Sequence, residues 1–177
     1  AALYAVRSGA FKAEITSNSG ETTINAFYLP GELIGLEAVH DKIYPATITA
    51  LETSSVCMTV FDNLLKLATD IPNLQRQLLS MMSQRIEQAN TFPLTSSANQ
   101  RVATFLLNIS TRFNKRGLSA THFRLPMPRQ DIARFLGLAT ETLSRCFSAF
   151  ESQGMIEQSR RDIILSDINK LQALANN

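Results

Sequence analysis

The segment QDIARFLGLATETLSRCFSAF, residues 130–150, restricts the fold more than any other part of the sequence. Ala133 lies where two helices would cross and only a small side chain fits. Gly137 follows at a turn, where glycine can adopt the left-handed conformation, and we expect Thr140 to cap the second helix. The apolar residues that would pack the two helices together are Ile132, Leu136, Leu138, Leu143 and Phe147. The pattern predicts a helix-turn-helix, although a generic helical hairpin could satisfy the same positions.

One face of the second predicted helix carries three polar side chains, Glu141, Ser144 and Arg145, at i, i+3 and i+4. In helix-turn-helix proteins the start of the second helix enters the major groove of DNA. Arginine can bond a guanine in bidentate fashion, glutamate can accept from a cytosine amino group, and serine can contact several bases. We therefore predict that these residues read base edges. The alternative is a solvated salt bridge between Glu141 and Arg145, worth roughly a few tenths of a kcal/mol.

A predicted β-hairpin, MIEQSRRDIILSD, follows the two helices and makes the motif winged. Cationic and hydroxyl side chains around such a motif usually contact DNA phosphates. For the two hairpin arginines, a charged tip in water is an equally good interpretation. The predicted phosphate contacts are Arg129, Thr142, Arg160 and Arg161.

Positive charge is concentrated in the second half of the chain. Residues 1–97 contain 6 Lys and Arg against 9 Asp and Glu, whereas residues 98–177 contain 11 against 6. A basic segment joined to a mildly acidic one suggests an anionic partner for the second half, although a solvated basic face would look the same.

The first sixty residues are typical of β structure. Four runs mix branched and aromatic residues with partial alternation, and turn signals such as Pro30-Gly31 separate them. The runs are LYAVRSG, AFKAEITS, TTINAFYL and ATITALETSSVCMTVF. Short strands at this spacing predict an antiparallel roll or sandwich.

From residue 61 the apolar pattern becomes helical. We expect Asp62 to cap a short helix and Pro72 to lie early in a longer one, where proline is tolerated. This longer helix either packs on the roll or forms a seam with a second copy through Leu79, Met82 and Ile86. Its apolar stripe consists of Leu74, Leu78, Leu79, Met82 and Ile86.

The segment TFPLTSS, residues 91–97, interrupts the helical pattern and is predicted to be a hinge, in which Thr95, Ser96 or Ser97 caps the next helix. The predicted fold class is α+β. An antiparallel β-roll sensor domain spans residues 1–68, a dimerisation helix and the hinge span residues 69–97, and a winged helix-turn-helix spans residues 98–177.

Composition and motifs exclude several classes of protein. The chain of 177 residues is 45% hydrophobic and 18% charged, which is typical of globular proteins. No run approaches the roughly 18 apolar residues of a membrane span, and no signal peptide is visible. The two cysteines, Cys57 and Cys146, form no CxxC pair and favour a reducing cytoplasm. The absence of a catalytic triad, phosphate loop or paired-carboxylate motif predicts that the protein is not an enzyme.

The whole chain resembles the cyclic AMP receptor protein family of bacterial transcription regulators, and within it the branch of the fumarate and nitrate reduction regulator, FNR. The most specific stretches are LYAVRSGAFK, LPGELIG, ALETSSVC, GLSATHFRLPMPRQDIARFLGLATETLSR and GMIEQSRRDIIL. The resemblance implies a cyclic-nucleotide-binding-like β-roll, a long dimer helix and a winged helix-turn-helix. It also implies double-stranded DNA, a second copy of the chain and RNA polymerase as partners, and no membrane.

Two positions place the chain in the FNR branch. Gly31-Glu32 matches the family, but Tyr44-Pro45 stands where nucleotide-binding members keep an Arg-Ser pair for the phosphate. Neither residue can replace guanidinium and hydroxyl as phosphate ligands, so cAMP binding is not expected. The stretch ETLSR matches the Glu-x-x-Ser-Arg reading pattern of the branch, which implies a two-fold site with TTGAT-like half-sites.

The resemblance gives Cys57 a second interpretation. A lone cysteine on a strand is usually a small buried residue, whereas FNR-like proteins use the cysteine of this context as one of four ligands of a 4Fe–4S cluster. The other three ligands lie upstream of the roll, and the chain begins within strand-like sequence without a Met, so we expect it to be part of a longer protein. The cluster is therefore expected in the full-length protein and not in this fragment. The resemblance then implies an activator of anaerobic genes that senses oxygen.

Two other functions stay open at the level of the sequence. One is a cluster-free regulator of the same family, sensing haem-bound nitric oxide or another effector. The other is a ligand-binding β-roll module that acts on a protein partner, which the helix-turn-helix pattern disfavours.

Overall fold

The computed structural model describes residues 1–89 and 97–176, and the chain divides into two compact units, Ala1–Asn90 and Thr91–Asn177. Apart from Ser97, the hinge predicted over residues 91–97 lies outside the described residues. The described residues contain no helix that is long and apolar enough to cross a membrane.

The first unit contains two three-stranded antiparallel sheets, as the alternating runs predict. The strands are β1 (Ala2–Ser8), β2 (Phe11–Thr16), β3 (Thr22–Tyr28), β4 (Leu33–Ile34), β5 (Thr47–Ala50) and β6 (Ser55–Val60). One sheet has the order β4-β1-β6 and the other β3-β2-β5. The last predicted run is thus two strands, which belong to different sheets and are separated by residues 51–54.

The core of this unit lies between the two sheets. It is built from the inward side chains of four strands, because alternate residues of a strand point to one face. The buried members are Val6, Ala13, Ala26, Tyr28 and Ile34.

Two helices follow the strands, α1 (Phe61–Asp70) and α2 (Pro72–Ala89). Pro72 is the first residue of α2, as predicted. The prediction for Asp62 is wrong, since Val60 takes the cap position of α1 and no side chain caps the helix. Strand β6 runs directly into α1, so the helix begins one residue before Asp62 and the carboxylate lies in the first turn.

In its described residues, 97–176, the second unit combines four helices and a small sheet. Its elements are α3 (Ala98–Asn114), β7 (His122–Arg124), α4 (Arg129–Leu136), α5 (Thr140–Ser152), β8 (Ile156–Ser159), β9 (Asp162–Leu165) and α6 (Ile168–Asn176). The strands form an antiparallel sheet of order β7-β9-β8. Helix α3 packs on α6 and α5.

Helix α3 has a reciprocal cap at its start. The Ser97 hydroxyl accepts a hydrogen bond from the Gln100 backbone N–H at 3.3 Å, and the Gln100 side chain accepts one from the Ser97 N–H at 2.6 Å. This capping box satisfies two amide groups that have no partner within the helix. Of the three caps considered, Ser97 is the one that forms.

Candidate nucleic-acid interface

The turn between α4 and α5 depends on the backbone of Gly137. Its φ of 65° and ψ of 37° lie in the left-handed region, as predicted, and its N–H and that of Leu138 bond back to the end of α4. Arg101 of α3 donates from Nη1 to the Leu136 carbonyl oxygen at 3.0 Å. This second support was not visible in the sequence, because Arg101 lies in a separate helix with no local signal that links it to the turn.

The interior of the helix pair is apolar and tightly enclosed. Ala133 is 1% exposed at the crossing point, and Leu138 is partly buried. The remaining predicted packing residues are all buried: Ile132, Leu136, Leu143 and Phe147. The expected cap at Thr140 is wrong, because Ala139 is the last extended residue (φ −69°, ψ 147°) and Thr140 already begins α5.

The outer face of α5 presents the three predicted base-reading side chains to solvent. Glu141, Ser144 and Arg145 are all exposed. Among the described residues, no ion pair joins Glu141 to Arg145, so the salt-bridge interpretation finds no support in this conformation. The Ser144 hydroxyl donates to the Thr140 carbonyl oxygen at 3.0 Å, so this bond does not use its capacity to accept. Contact of these residues with bases stays a prediction.

Two arginines stand at the tip of the β8–β9 hairpin, which forms the wing. Arg160 adopts a left-handed φ of 55°, and both Arg160 and Arg161 are exposed. Arg161 donates from Nη1 to the Pro126 carbonyl oxygen at 3.1 Å, so one side of its guanidinium is tied to the loop before α4. Thr142, the other predicted phosphate contact, is partly buried on α5.

Arg129 lies deeper than a surface phosphate contact would. Its Cζ atom is 3.6 Å from the centroid of the Phe147 ring, and its Nη2 donates to Gln158 Oε1 at 3.0 Å. Its Nη1 is buried and has no hydrogen-bond partner among the described residues. Burial lowers the pKa of Arg129 to about 10, which still leaves it charged at neutral pH. A phosphate contact by Arg129 stays a prediction.

In the first unit, the side chains of Tyr44 and Glu32 form hydrogen bonds with the backbone of that unit. The Tyr44 hydroxyl donates to the Ala2 carbonyl oxygen at 2.9 Å and accepts from the Ala2 N–H at 2.7 Å. Glu32 accepts the Leu29 N–H at 3.0 Å, which closes the Pro30-Gly31 turn. Both side chains are therefore engaged in hydrogen bonds that stabilise the backbone of the first unit.

A charged cluster links α2 to the sheets within the same unit. Arg85 of α2 donates from Nη2 to the Tyr28 hydroxyl at 2.8 Å, and Tyr28 donates to Glu37 Oε1 at 3.3 Å. Burial, with smaller contributions from Glu37 and Glu32 against the opposing charge of Arg85, raises the pKa of Tyr28 to about 12. The sequence gives no sign of this cluster, since its members lie on three elements.

Cys57 is exposed on β6, an edge strand of its sheet, whereas Cys146 is buried on the inner side of α5. No group of three or more His, Cys, Asp or Glu side chains in the described ranges could hold a metal ion. A cubane cluster needs four ligands. The described residues therefore do not form a cluster site by themselves.

The chain matches two protein families and several characterised proteins. Residues 100–174 match the Crp-like helix-turn-helix domain, and residues 1–70 match the cyclic nucleotide-binding domain. The transcriptional activator protein FnrA of Stutzerimonas stutzeri is 44% identical over 176 residues, which are 98% of this chain and 72% of FnrA. The fumarate and nitrate reduction regulatory protein of Salmonella typhi is 39% identical over 98% of this chain and 70% of its own length.

Solved structures agree with the sequence matches. FixK2 from Bradyrhizobium japonicum superimposes with a TM-score of 0.83 at 31% identity, over 98% of this chain and 86% of FixK2. The winged helix-turn-helix described above, the preceding roll and these relatives lead to one conclusion: the chain belongs to the Crp/FNR family of DNA-binding transcription regulators.

Proposed function

We propose that the protein is an FNR-like regulator that binds TTGAT-type palindromes as a homodimer and controls anaerobic gene expression. The observation that carries this proposal is the exposed face of α5, where Glu141, Ser144 and Arg145 stand in the order of the branch's reading pattern without pairing to one another. Relatives named as anaerobic regulatory proteins, from Haemophilus influenzae and Aggregatibacter actinomycetemcomitans, support the anaerobic role.

The proposed DNA contacts form two groups, one to base edges and one to phosphates. Arg145 pairs with a guanine, Glu141 accepts from a cytosine amino group, and the Ser144 hydroxyl accepts from a base amino group. Arg129, Thr142, Arg160 and Arg161 approach phosphates, which fix the position of the helix and carry no sequence information.

Dimerisation uses the outer face of α2. Leu79, Met82 and Ile86 are 62%, 40% and 66% exposed, whereas Leu78 on the inner face is 8% exposed. A helix that leaves three large apolar side chains in line at 3–4 spacing is typical of a helix–helix seam. Two copies would then present two recognition helices, and binding both half-sites at once would raise the affinity through effective concentration.

For the sensor, we propose that Cys57 is one thiolate ligand of a 4Fe–4S cluster in the full-length protein. Its exposure on an edge strand leaves the thiol accessible to ligands from outside the described residues. Three further thiolates would have to come from outside this sequence, because this chain supplies only Cys57 in a suitable context. When bound, the cluster would supply sensitivity to oxygen.

We also propose that the roll does not respond to cAMP. The side chain at Tyr44 carries no positive charge and bonds to the backbone of Ala2, and Glu32 closes its own turn. A cyclic phosphate would find no guanidinium at this position. Titration with cAMP followed by calorimetry is expected to give no heat of binding. The names of FnrA and Anr, transcriptional activator proteins, support an activator role, in which the DNA-bound dimer would contact RNA polymerase.

A gel-shift titration of the anaerobic full-length protein tests the proposal. We expect binding to a TTGAT-type palindrome that is at least roughly a thousandfold tighter than to random DNA at moderate salt. Absence of binding at both low and moderate salt would contradict the regulator function and favour a β-roll module that acts on a protein partner.

A cluster-free regulator of the same family is the second candidate, because a single thiolate in the described residues is compatible with either kind of sensor. Iron and acid-labile sulfide in the anaerobic full-length protein distinguish the two. With a cluster, Cys57→Ser should remove the iron, and Cys146→Ala should retain it. If the wild-type protein holds no iron and still binds the palindrome, the cluster-free regulator is correct.

A further inference from the structure

Three side chains from three elements of the second unit form a hydrogen-bonded chain beneath the recognition helix. Arg129 is the first residue of α4, Gln158 lies on β8 of the wing, and Glu151 lies in the last turn of α5. Arg129 Nη2 donates to Gln158 Oε1 at 3.0 Å, and Gln158 Nε2 donates to Glu151 Oε2 at 3.1 Å. The Gln158 backbone N–H also lies 3.4 Å from Glu151 Oε1.

The chemistry of the three groups requires a carboxamide in the middle. A guanidinium can only donate hydrogen bonds and an ionised carboxylate can only accept them, so the group between them must do both. Each bond has one charged partner, which makes it stronger than a bond between neutral groups. The orientation of the Gln158 amide follows, because the flipped amide would set donor against donor and acceptor against acceptor.

The position of Arg129 depends on this bridge. Its guanidinium stacks on Phe147, an inner residue of the recognition helix, and the bond to Gln158 is its only hydrogen bond among the described residues. Its Nη1 is already buried without a partner. Losing the bond to Gln158 would leave Nη2 without a protein partner as well, and a partly buried charged group loses stability when its hydrogen bonds are removed. We therefore expect Arg129 to move away from Phe147 when the bridge is broken.

We propose that Gln158 is a positioning residue for DNA binding, which holds Arg129 against the recognition helix and joins the start of α4, the end of α5 and the wing into one surface. This inference rests on the proposed DNA-binding function. Gln158 is not one of the residues proposed to contact bases. It acts through Arg129 and through the hairpin whose tip, two residues later, carries Arg160 and Arg161.

The first test compares Gln158→Met with Gln172→Met in the full-length protein. Methionine keeps the length of the side chain and removes both hydrogen bonds, and Gln172 is an exposed glutamine of α6 outside this chain of contacts. Interaction energies within one network correspond to roughly 2- to 150-fold in affinity. We expect Gln158→Met to weaken binding to the palindrome about tenfold and to reduce the slope of log K against log salt, because phosphate contacts are lost. Relative preference among base sequences should not change.

The second test exchanges the side chains of Gln158 and Glu151. Gln158→Glu places two carboxylates face to face and should weaken DNA binding. The double variant Glu151→Gln with Gln158→Glu restores a complementary order of guanidinium, carboxylate and amide without changing the net charge. We expect the double variant to bind DNA within about threefold of the wild type, since the pair is coupled. A residue needed only for its bulk would show no such rescue.

Hydrogen exchange in the absence of DNA separates this inference from the proposed function. We expect faster exchange of the amides of β8 and the last turn of α5 in Gln158→Met, and no change in Gln172→Met. Wild-type affinity and salt slope in Gln158→Met, failure of the double variant to recover, or unchanged exchange would each overturn the inference. If the wild type does not bind DNA, the proposed function fails, and the exchange result still decides whether Gln158 positions these elements.

Discussion

Gly137 carries the change of direction between the two helices of the motif. Its left-handed φ is one that residues with a Cβ rarely adopt, and a Cβ built at this position would lie 3.5 Å from Arg101 Nη1, an ordinary contact. The constraint is therefore conformational rather than steric. This is why the glycine could be identified from local pattern alone, whereas Arg101, which supports the same turn, could not.

Gly137→Ala is expected to lower the free energy of unfolding by about 1–2 kcal/mol, the cost of holding a non-glycine residue in the left-handed region. Urea unfolding measures the change. Gly137→Asn is the matched control, because asparagine visits this region more readily, and it should cost less than alanine. If both variants lose the same free energy of unfolding, the presence of a side chain, and not the left-handed backbone conformation, causes the destabilisation.

Arg145→Ala is expected to cost about 1–3 kcal/mol in DNA affinity and to relax the preference at one base pair. Arg160→Ala should instead weaken all sequences similarly and reduce the salt slope by about 1. Lys170→Ala removes a positive charge from α6 in the same unit and controls for net charge. Binding to variant palindromes at several salt concentrations measures both effects. A uniform loss for Arg145→Ala would reassign it as a phosphate contact.

At the scale of elements, α2 and α5 each have an inner face that packs within its own unit and an outer face that is exposed. The apolar stripe predicted for α2 divides in the structure, since Leu78 faces inward and Leu79, Met82 and Ile86 face outward. Periodicity locates an apolar stripe but cannot separate packing within the chain from packing against a copy, because both need the same residues. Arg85 lies on the inner side of α2 and ties it to Tyr28, a contact that no periodic pattern encodes.

The Tyr28 phenol makes the first unit sensitive to alkaline pH. Burial raises its pKa from 10 to about 12, so its neutral form is favoured in the folded state. The contribution of the neutral Tyr28 phenol to the free energy of unfolding is complete below pH 10. It is lost as the pH rises from 10 toward 12, to a limit of about 3 kcal/mol. Urea unfolding between pH 9 and 11.5 should show that wild-type stability falls relative to Tyr28→Phe, which cannot ionise. Parallel pH profiles of the two proteins would contradict this expectation.

At the scale of the whole molecule, the order of a β unit followed by a winged helix-turn-helix unit follows from patterns in the sequence. Alternation identifies the strands of the roll, and the turn glycine with its apolar neighbours identifies the motif. What could not be predicted are the contacts between elements far apart in the chain: Tyr28 with Arg85, Arg101 with Leu136, and Arg129 with Gln158. Each is polar and depends on three-dimensional placement, for which one sequence holds no periodic signal.

Ile86→Glu is expected to convert the proposed dimer into monomers, because it places a charge in the proposed apolar seam. Gln77→Glu on the opposite side of α2 adds the same charge and should leave the dimer intact. Sedimentation equilibrium measures the association, and gel shifts with full and half palindromes measure the consequence. The monomer should lose the affinity gained from two half-sites and keep its affinity for one. A dimeric Ile86→Glu protein would place the seam elsewhere.

The burial of Cys146 on the inner side of α5 has a practical consequence. Burial raises the pKa of this thiol, so little reactive thiolate is present at neutral pH, and a reagent can reach it only when α5 separates from its neighbours. In a Cys57→Ser protein, the rate of alkylation would therefore report how often the recognition helix opens. A bound operator should slow that reaction in proportion to its occupancy. The rate of Cys146 alkylation thus measures how often α5 opens, without any label added to the chain.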